Sequence, residues 1–169
     1  MVARGLMENT QLYIFGDHGM GWDVGRGPAQ MKQLGFRTHY EHIDVPLIVS
    51  PTQRVPCDIG MHDGMSISAT MLDELNISPH PSFKGKSLYK PGKPVAIVES
   101  VGRGNCDVLR RDLYFTVTST THRLMILLTE NKLIPERLYD RTADPKEYVN
   151  LVNNEENATL ITTMLHWLV

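Results

Sequence analysis

The chain has 169 residues, room for one ordinary domain or two small ones, and its 41% hydrophobic and 21% charged content is that of a folded globular protein, not a disordered one. A formal net charge of −2 gives no electrostatic case for nucleic acid or an anionic membrane surface, either of which would call for a basic face, so any anion must be drawn by a local site or a metal. Two cysteines, Cys57 and Cys106, are too few for a disulfide framework or a zinc cluster and read as buried thiols, and no apolar run approaches the ~18 residues of a membrane-spanning helix.

Residues 1–9 lack the apolar stretch and small-residue cleavage site of a secretory signal, and the sequence assigns no compartment. Residues 11–15 (QLYIF) form a short aromatic and β-branched run that ends at Gly16, the pattern of a buried strand in an α/β sheet. Residues 45–49 (VPLIV) predict a second buried strand, with Pro46 pushing it toward a sheet edge or a strand start. Residues 66–77 carry Ile67, Met71, Leu72 and Leu75 at helical spacing, a small cap residue before them and Pro79 just beyond. Residues 76–94, punctuated by proline, glycine and lysine, read as a surface connection between two parts, 1–93 and 94–169.

The second part has a different grammar. Residues 95–98, 113–118 and 123–128 predict strands, the last two joined by a turn at Ser119-Thr120-Thr121. Leu160, Ile161, Met164, Leu165 and Leu168 then predict a closing amphipathic helix. Strands followed by one helix, without βαβ alternation, predict a small antiparallel sheet with a helix packed on one face.

Chemistry concentrates at Gly16-Asp17-His18-Gly19, directly after the first predicted strand, since open α/β sheets bind ligands at the carboxyl ends of their strands. A carboxylate beside an imidazole suits Ca²⁺ through oxygen, or Mn²⁺ and Zn²⁺ through both donors. Gly19 lets the backbone turn sharply after them.

The surroundings of this tetrapeptide resemble the sulfatases of the alkaline-phosphatase superfamily. Leu6, Asn9-Thr10, Tyr13-Ile14-Phe15 and Asp17-His18-Gly19 are similar to the family's "Gly-Leu, Asp-Asn-Thr, apolar strand, Ser-Asp-His/Asn-Gly". Further landmarks follow in the family's order: Tyr40-Glu41 with Val45-Pro46-Leu47-Ile48-Val49, Ala69-Thr70-Met71-Leu72-Asp73 with Ile77, and Gly85-Lys86-Ser87-Leu88. Leu138-Tyr139-Asp140, Asp144-Pro145 and Glu147 to Leu151 complete the series.

The resemblance implies an α/β fold: the C-terminal part of an alkaline-phosphatase-like core, over residues 1–93, plus a small antiparallel sheet with a packed C-terminal helix. It implies a metal-dependent sulfuric ester hydrolase whose Asp17 and His18 are metal ligands, with Ca²⁺ the first candidate and Mn²⁺ or Zn²⁺ the alternatives. The implied partner is a small-molecule or glycan sulfate ester, with neither nucleic acid nor membrane; a homo-oligomer stays open. The family's nucleophile lies upstream in a Cys/Ser-x-Pro-x-Arg motif that neither Cys57 nor Cys106 matches. The chain is therefore expected to be a fragment that hydrolyses no ester by itself.

Two departures from the family pattern stand out. The lysine usually found just before the Tyr-Glu pair falls here near Gly35 or Phe36, so Lys32 first and Arg37 second are the candidates to neutralise the ester's charge. The residues 21–35, rich in glycine, allow that shift of register. The other is Asp44, where the family tends to carry arginine; the sequence gives no reason for it. His39 and His42, three residues apart around Tyr40-Glu41, read either as cleft-facing, with His39 in the catalytic set, or as one hydrogen-bonded structural histidine and one solvated one. His62, ahead of the predicted helix, is a weaker cleft candidate, and Met20 and Trp22 wall a substrate pocket or pack in the core. The histidine at position 18 points also to a phosphodiesterase or phosphonate monoester hydrolase of the same superfamily. A non-catalytic interaction module is the third reading.

Overall fold

The computed structural model describes residues 5–19, 39–51, 58–101 and 113–168. Lys32, Arg37, Met20, Trp22, the 21–35 loop, Cys57 and Cys106 lie outside these residues.

The first part holds two strands, β1 (Leu12–Phe15) and β2 (Leu47–Ser50), paired antiparallel with Ile14 opposite Ile48 and Phe15 opposite Leu47. β2 starts directly after Pro46, which has no N–H to give a ladder. Both strands were expected to be buried, and here the ribbon differs: Ile14 is 52% exposed, Phe15 47% and Ile48 57%. Successive side chains point to opposite faces, so exposed apolar residues stand on both, Ile14 and Ile48 on one and Phe15 on the other. A single helical turn, α1 (Tyr40–Ile43), leads into β2.

The predicted helix is α2 (Met65–Glu74). Its start is held by Asp63, whose Oδ1 accepts the Met65 N–H at 3.0 Å, a two-residue Asx contact. The buried face carries the small residues Ser66, Ala69 and Thr70, while Met71 and Leu75 face outward. Thr70 explains this choice: its hydroxyl donates to Ser66 O at 2.6 Å and accepts the Leu88 N–H at 2.9 Å. The segment around Gly85-Lys86-Ser87-Leu88 thus lies against the helix, close enough that a Cβ on Gly85 would overlap the Met65 carbonyl. What read as a loose surface connection is partly tied down, with Ser87 and Leu88 buried.

The second part is a four-stranded antiparallel sheet in sequence order: β3 (Ala96–Val101), β4 (Leu113–Thr118), β5 (His122–Thr129) and β6 (Lys132–Asp140). The helix α3 (Ala158–Leu165) follows, entered through a turn capped by Asn154, whose side chain accepts the Glu156 N–H. Alternation along the strands sorts the sheet into two faces. One carries Val117, Leu124, Ile126 and Leu138, fully buried and packed with Met164, Leu160 and Ile161 of α3. The other carries the row Thr118, Arg123 and Tyr139, set side by side by the strand register and also buried.

Candidate functional site

Asp17 and His18 follow β1 by one residue, at its carboxyl end, and both side chains project into solvent, 89% and 70% exposed. Asp17 Oδ1 accepts the His18 N–H at 2.9 Å, and His18 Nδ1 lies 2.7 Å from the Gly19 carbonyl oxygen. A carbonyl only accepts, so Nδ1 carries the proton and the neutral ring keeps its lone pair on Nε2. An imidazole oriented by an Nδ1–H to carbonyl bond is the usual arrangement of a metal-binding histidine. Nε2 sits 3.9 Å from Asp17 Oδ2. Two ligands of one ion, at about 2.0–2.6 Å each, stand roughly 3–4 Å apart, so the pair fits two positions of a single metal. Two donors do not complete a coordination shell, and no group of three or more His, Cys, Asp or Glu side chains able to hold a metal occurs among the described residues.

The turn is anchored to α1. The Gly19 N–H donates to the His42 carbonyl at 2.8 Å, and a Cβ on Gly19 would overlap the Glu41 carbonyl oxygen, which makes glycine obligatory at this close approach. Tyr40 and Glu41 are in α1 itself.

His39 is buried at the N-cap of α1, its Nδ1 2.9 Å from Glu147 Oε2 and its ring 5.8 Å from that of Tyr139. Glu147 Oε2 also accepts the Tyr40 N–H at 3.1 Å. Arg123, fully buried, donates Nη1–H to Glu147 Oε1, Nη2–H to Asp44 Oδ1 at 2.5 Å and Nε–H to Thr118 Oγ1 at 3.1 Å. Arg141 adds a second cation 3.3 Å from Asp44 Oδ2. The unexplained aspartate at position 44 therefore has its reason in two arginines of the sheet region. Burial alone pushes the Glu147 carboxyl up; the His39 hydrogen bond, the Arg123 guanidinium and the Tyr40 amide together outweigh it and hold it below the ordinary carboxylate value.

His62 stands apart from this cluster. Both its ring nitrogens are shielded from water, and among the described residues neither has a hydrogen-bond partner. Arg123, Glu147 and Arg141 were not singled out as site residues from the sequence. The only signal was Glu147's place in the landmark after Asp144-Pro145.

A ribbon that ends in a carboxylate–imidazole turn, followed by an antiparallel sheet backed by a C-terminal helix, is the mixed α/β fold of the C-terminal part of a sulfatase. A Bacteroides thetaiotaomicron protein assigned as a sulfatase superposes with a TM-score of 0.73 at 21% identity, over 95% of this chain and 35% of that one. A 2-O GAG sulfatase gives 0.68 at 20% identity, again over 95% and 35%. A third structure, solved in complex with its substrate D-glucosamine-2-N,6-O-disulfate, gives 0.57 at 18% identity over 77% and 28%. The chain thus spans about a third of the length of the first of these structures, 35%. No family model matches the sequence, and no curated protein does.

Proposed function

We propose that the chain is the C-terminal part of a metal-dependent sulfuric ester hydrolase, contributing two metal ligands and the floor on which they rest. The observation that carries the reading is the Asp17–His18 turn at the end of β1, with the imidazole oriented through Nδ1 so that Nε2 and the carboxylate face outward together. The fold likeness to sulfatases supports it. A bound divalent cation, Ca²⁺ first and Mn²⁺ or Zn²⁺ as alternatives, would stabilise charge developing on the sulfuryl oxygens. Asp17 would supply an oxygen ligand and His18 its Nε2. Lys32 or Arg37 would neutralise the ester's negative charge as the alcohol leaves. His39 belongs to the support of the site, because its ring is buried against Glu147 and Tyr139. The substrate class is a small-molecule or glycan sulfate ester.

The test uses the 169-residue chain alone and the same chain joined to, or mixed with, the nucleophile-bearing part of a sulfatase core. The chain alone should give no enzyme-like rate. The completed protein should hydrolyse an aryl sulfate and lose that activity in Asp17→Ala. It should prefer the sulfate over a phosphodiester with the same leaving group by at least about tenfold in kcat/KM, or ~1.4 kcal/mol. A diester preference of that size would overturn the sulfatase reading in favour of the phosphodiesterase reading that His18 also fits. Metal-dependent turnover by the chain alone, abolished by Asp17→Ala, would overturn the need for an added nucleophile segment.

A further inference from the structure

Resting on the proposed role of the Asp17–His18 turn, we propose that Glu147 is its positioning residue, acting through α1, which the C-terminal sheet region clasps at both ends. The route is continuous in hydrogen bonds. Glu147 Oε2 accepts the Tyr40 N–H at 3.1 Å and meets His39 Nδ1 at 2.9 Å, fixing the start of α1. Asp44, which ends α1, is gripped by Arg123 at 2.5 Å and Arg141 at 3.3 Å. Between these two grips the His42 carbonyl accepts the Gly19 N–H at 2.8 Å and so holds the turn that carries the two donors.

Three features mark this as a positioning device. A single turn of four residues cannot persist alone, since nucleating a helix costs more than one hydrogen bond returns. Nor does α1 fully bury any of its residues. Both its ends are held by directional polar contacts, to Glu147 at the start and to Arg123 and Arg141 at Asp44. Glu147 itself is held at φ 57°, a left-handed conformation that is strained for a non-glycine residue. Such strain persists where surrounding contacts over-determine it, and here it aims a buried carboxylate at α1. Finally, a buried ion pair adds little net stability compared with apolar residues of the same volume. The fixed geometry is what the charges contribute.

Amide hydrogen exchange on the whole 169-residue chain tests this, with or without any ester hydrolysis, so that failure of the sulfatase reading and failure of the positioning role are told apart. In Glu147→Gln the Gly19 amide should exchange at least about tenfold faster than in the wild type and still faster than the amides of β4 and β5, which speed up only as far as global stability falls. Asp44→Asn leaves the Arg123–Glu147 pair in place and loosens only the far grip; it should raise Gly19 exchange in the same selective way by about threefold or more. If Glu147→Gln fails to fold, Asp44→Asn decides the matter. Unchanged Gly19 exchange in the folded variants, or a Gly19 amide that exchanges no faster than the β4 and β5 amides, overturns the proposal.

Discussion

Replacing Arg123 by methionine isolates the energetics of the buried cluster. The arginine side chain is fully buried and its main partner Glu147 is 1% exposed, so removing the guanidinium leaves a desolvated carboxylate without that cation. Breaking one partner of such a pair costs about 3–5 kcal/mol, much of it the penalty on the charge left behind. The second arm is different. Asp44 is 41% exposed and keeps Arg141, so its share is about 1 kcal/mol or less. For a chain of this length the total corresponds to a fall in Tm of roughly 6–24 °C, and Asp44→Asn to about 4 °C at most. Urea unfolding followed by far-UV circular dichroism at pH 7 gives both free energies, and a thermal scan both Tm shifts. The double variant Arg123→Met/Glu147→Leu should recover part of the loss, because the buried carboxylate goes with the guanidinium, while His39 Nδ1 and the Tyr40 N–H lose their acceptor. An Arg123→Met variant within about 1 kcal/mol of wild type, or no more damaged than Asp44→Asn, would refute the reasoning.

Two further outcomes follow from the same structure. The folded Glu147 carboxyl sits below its unfolded value, so the unfolded state binds more protons and stability rises with pH; this contribution is complete above the unfolded value near 4.5 and is lost as pH falls through the lower folded one. Unfolding free energies of wild type and Glu147→Gln measured from pH 7 downward should therefore converge on the acid side, and a constant gap would contradict the assignment. Thr70→Val keeps the side chain's shape but leaves the Leu88 N–H without its acceptor, at a cost of about 1–3 kcal/mol by the same unfolding assay.

The sequence made the C-terminal sheet readable where periodicity and composition agreed. The 113–118 strand and the closing helix came through because apolar residues there recur at the right interval over a whole element. β6 did not. Pro135 interrupts the pattern at a register shift between Met125 and Ile126, on an edge strand where a missing N–H is tolerated. Its hairpin turn is Glu130-Asn131, both at positive φ, without the glycine that normally announces such a turn. The Asp17–His18 turn was legible because both residues are adjacent and follow a strand. Its support was not: Glu147 reaches His39 across 108 residues and Arg123 reaches Asp44 across 79, pairings that no local pattern encodes. Arg123 read as one end of a strand, and only the register beside Thr118 and Tyr139 turns it inward.

The β1–β2 ribbon carries a consequence for handling the protein. It presents isoleucines on one side and Phe15 with Leu47 on the other, and among the described residues neither outer strand edge has a partner. A greasy two-stranded ribbon with open edges is a template for any strand that meets it, including the same ribbon on another molecule. The sheet and α3, by contrast, share a closed core of their own. On concentration the chain should therefore self-associate through its N-terminal ribbon while its C-terminal half stays natively folded, and a charged residue in place of Ile48 should keep it dispersed.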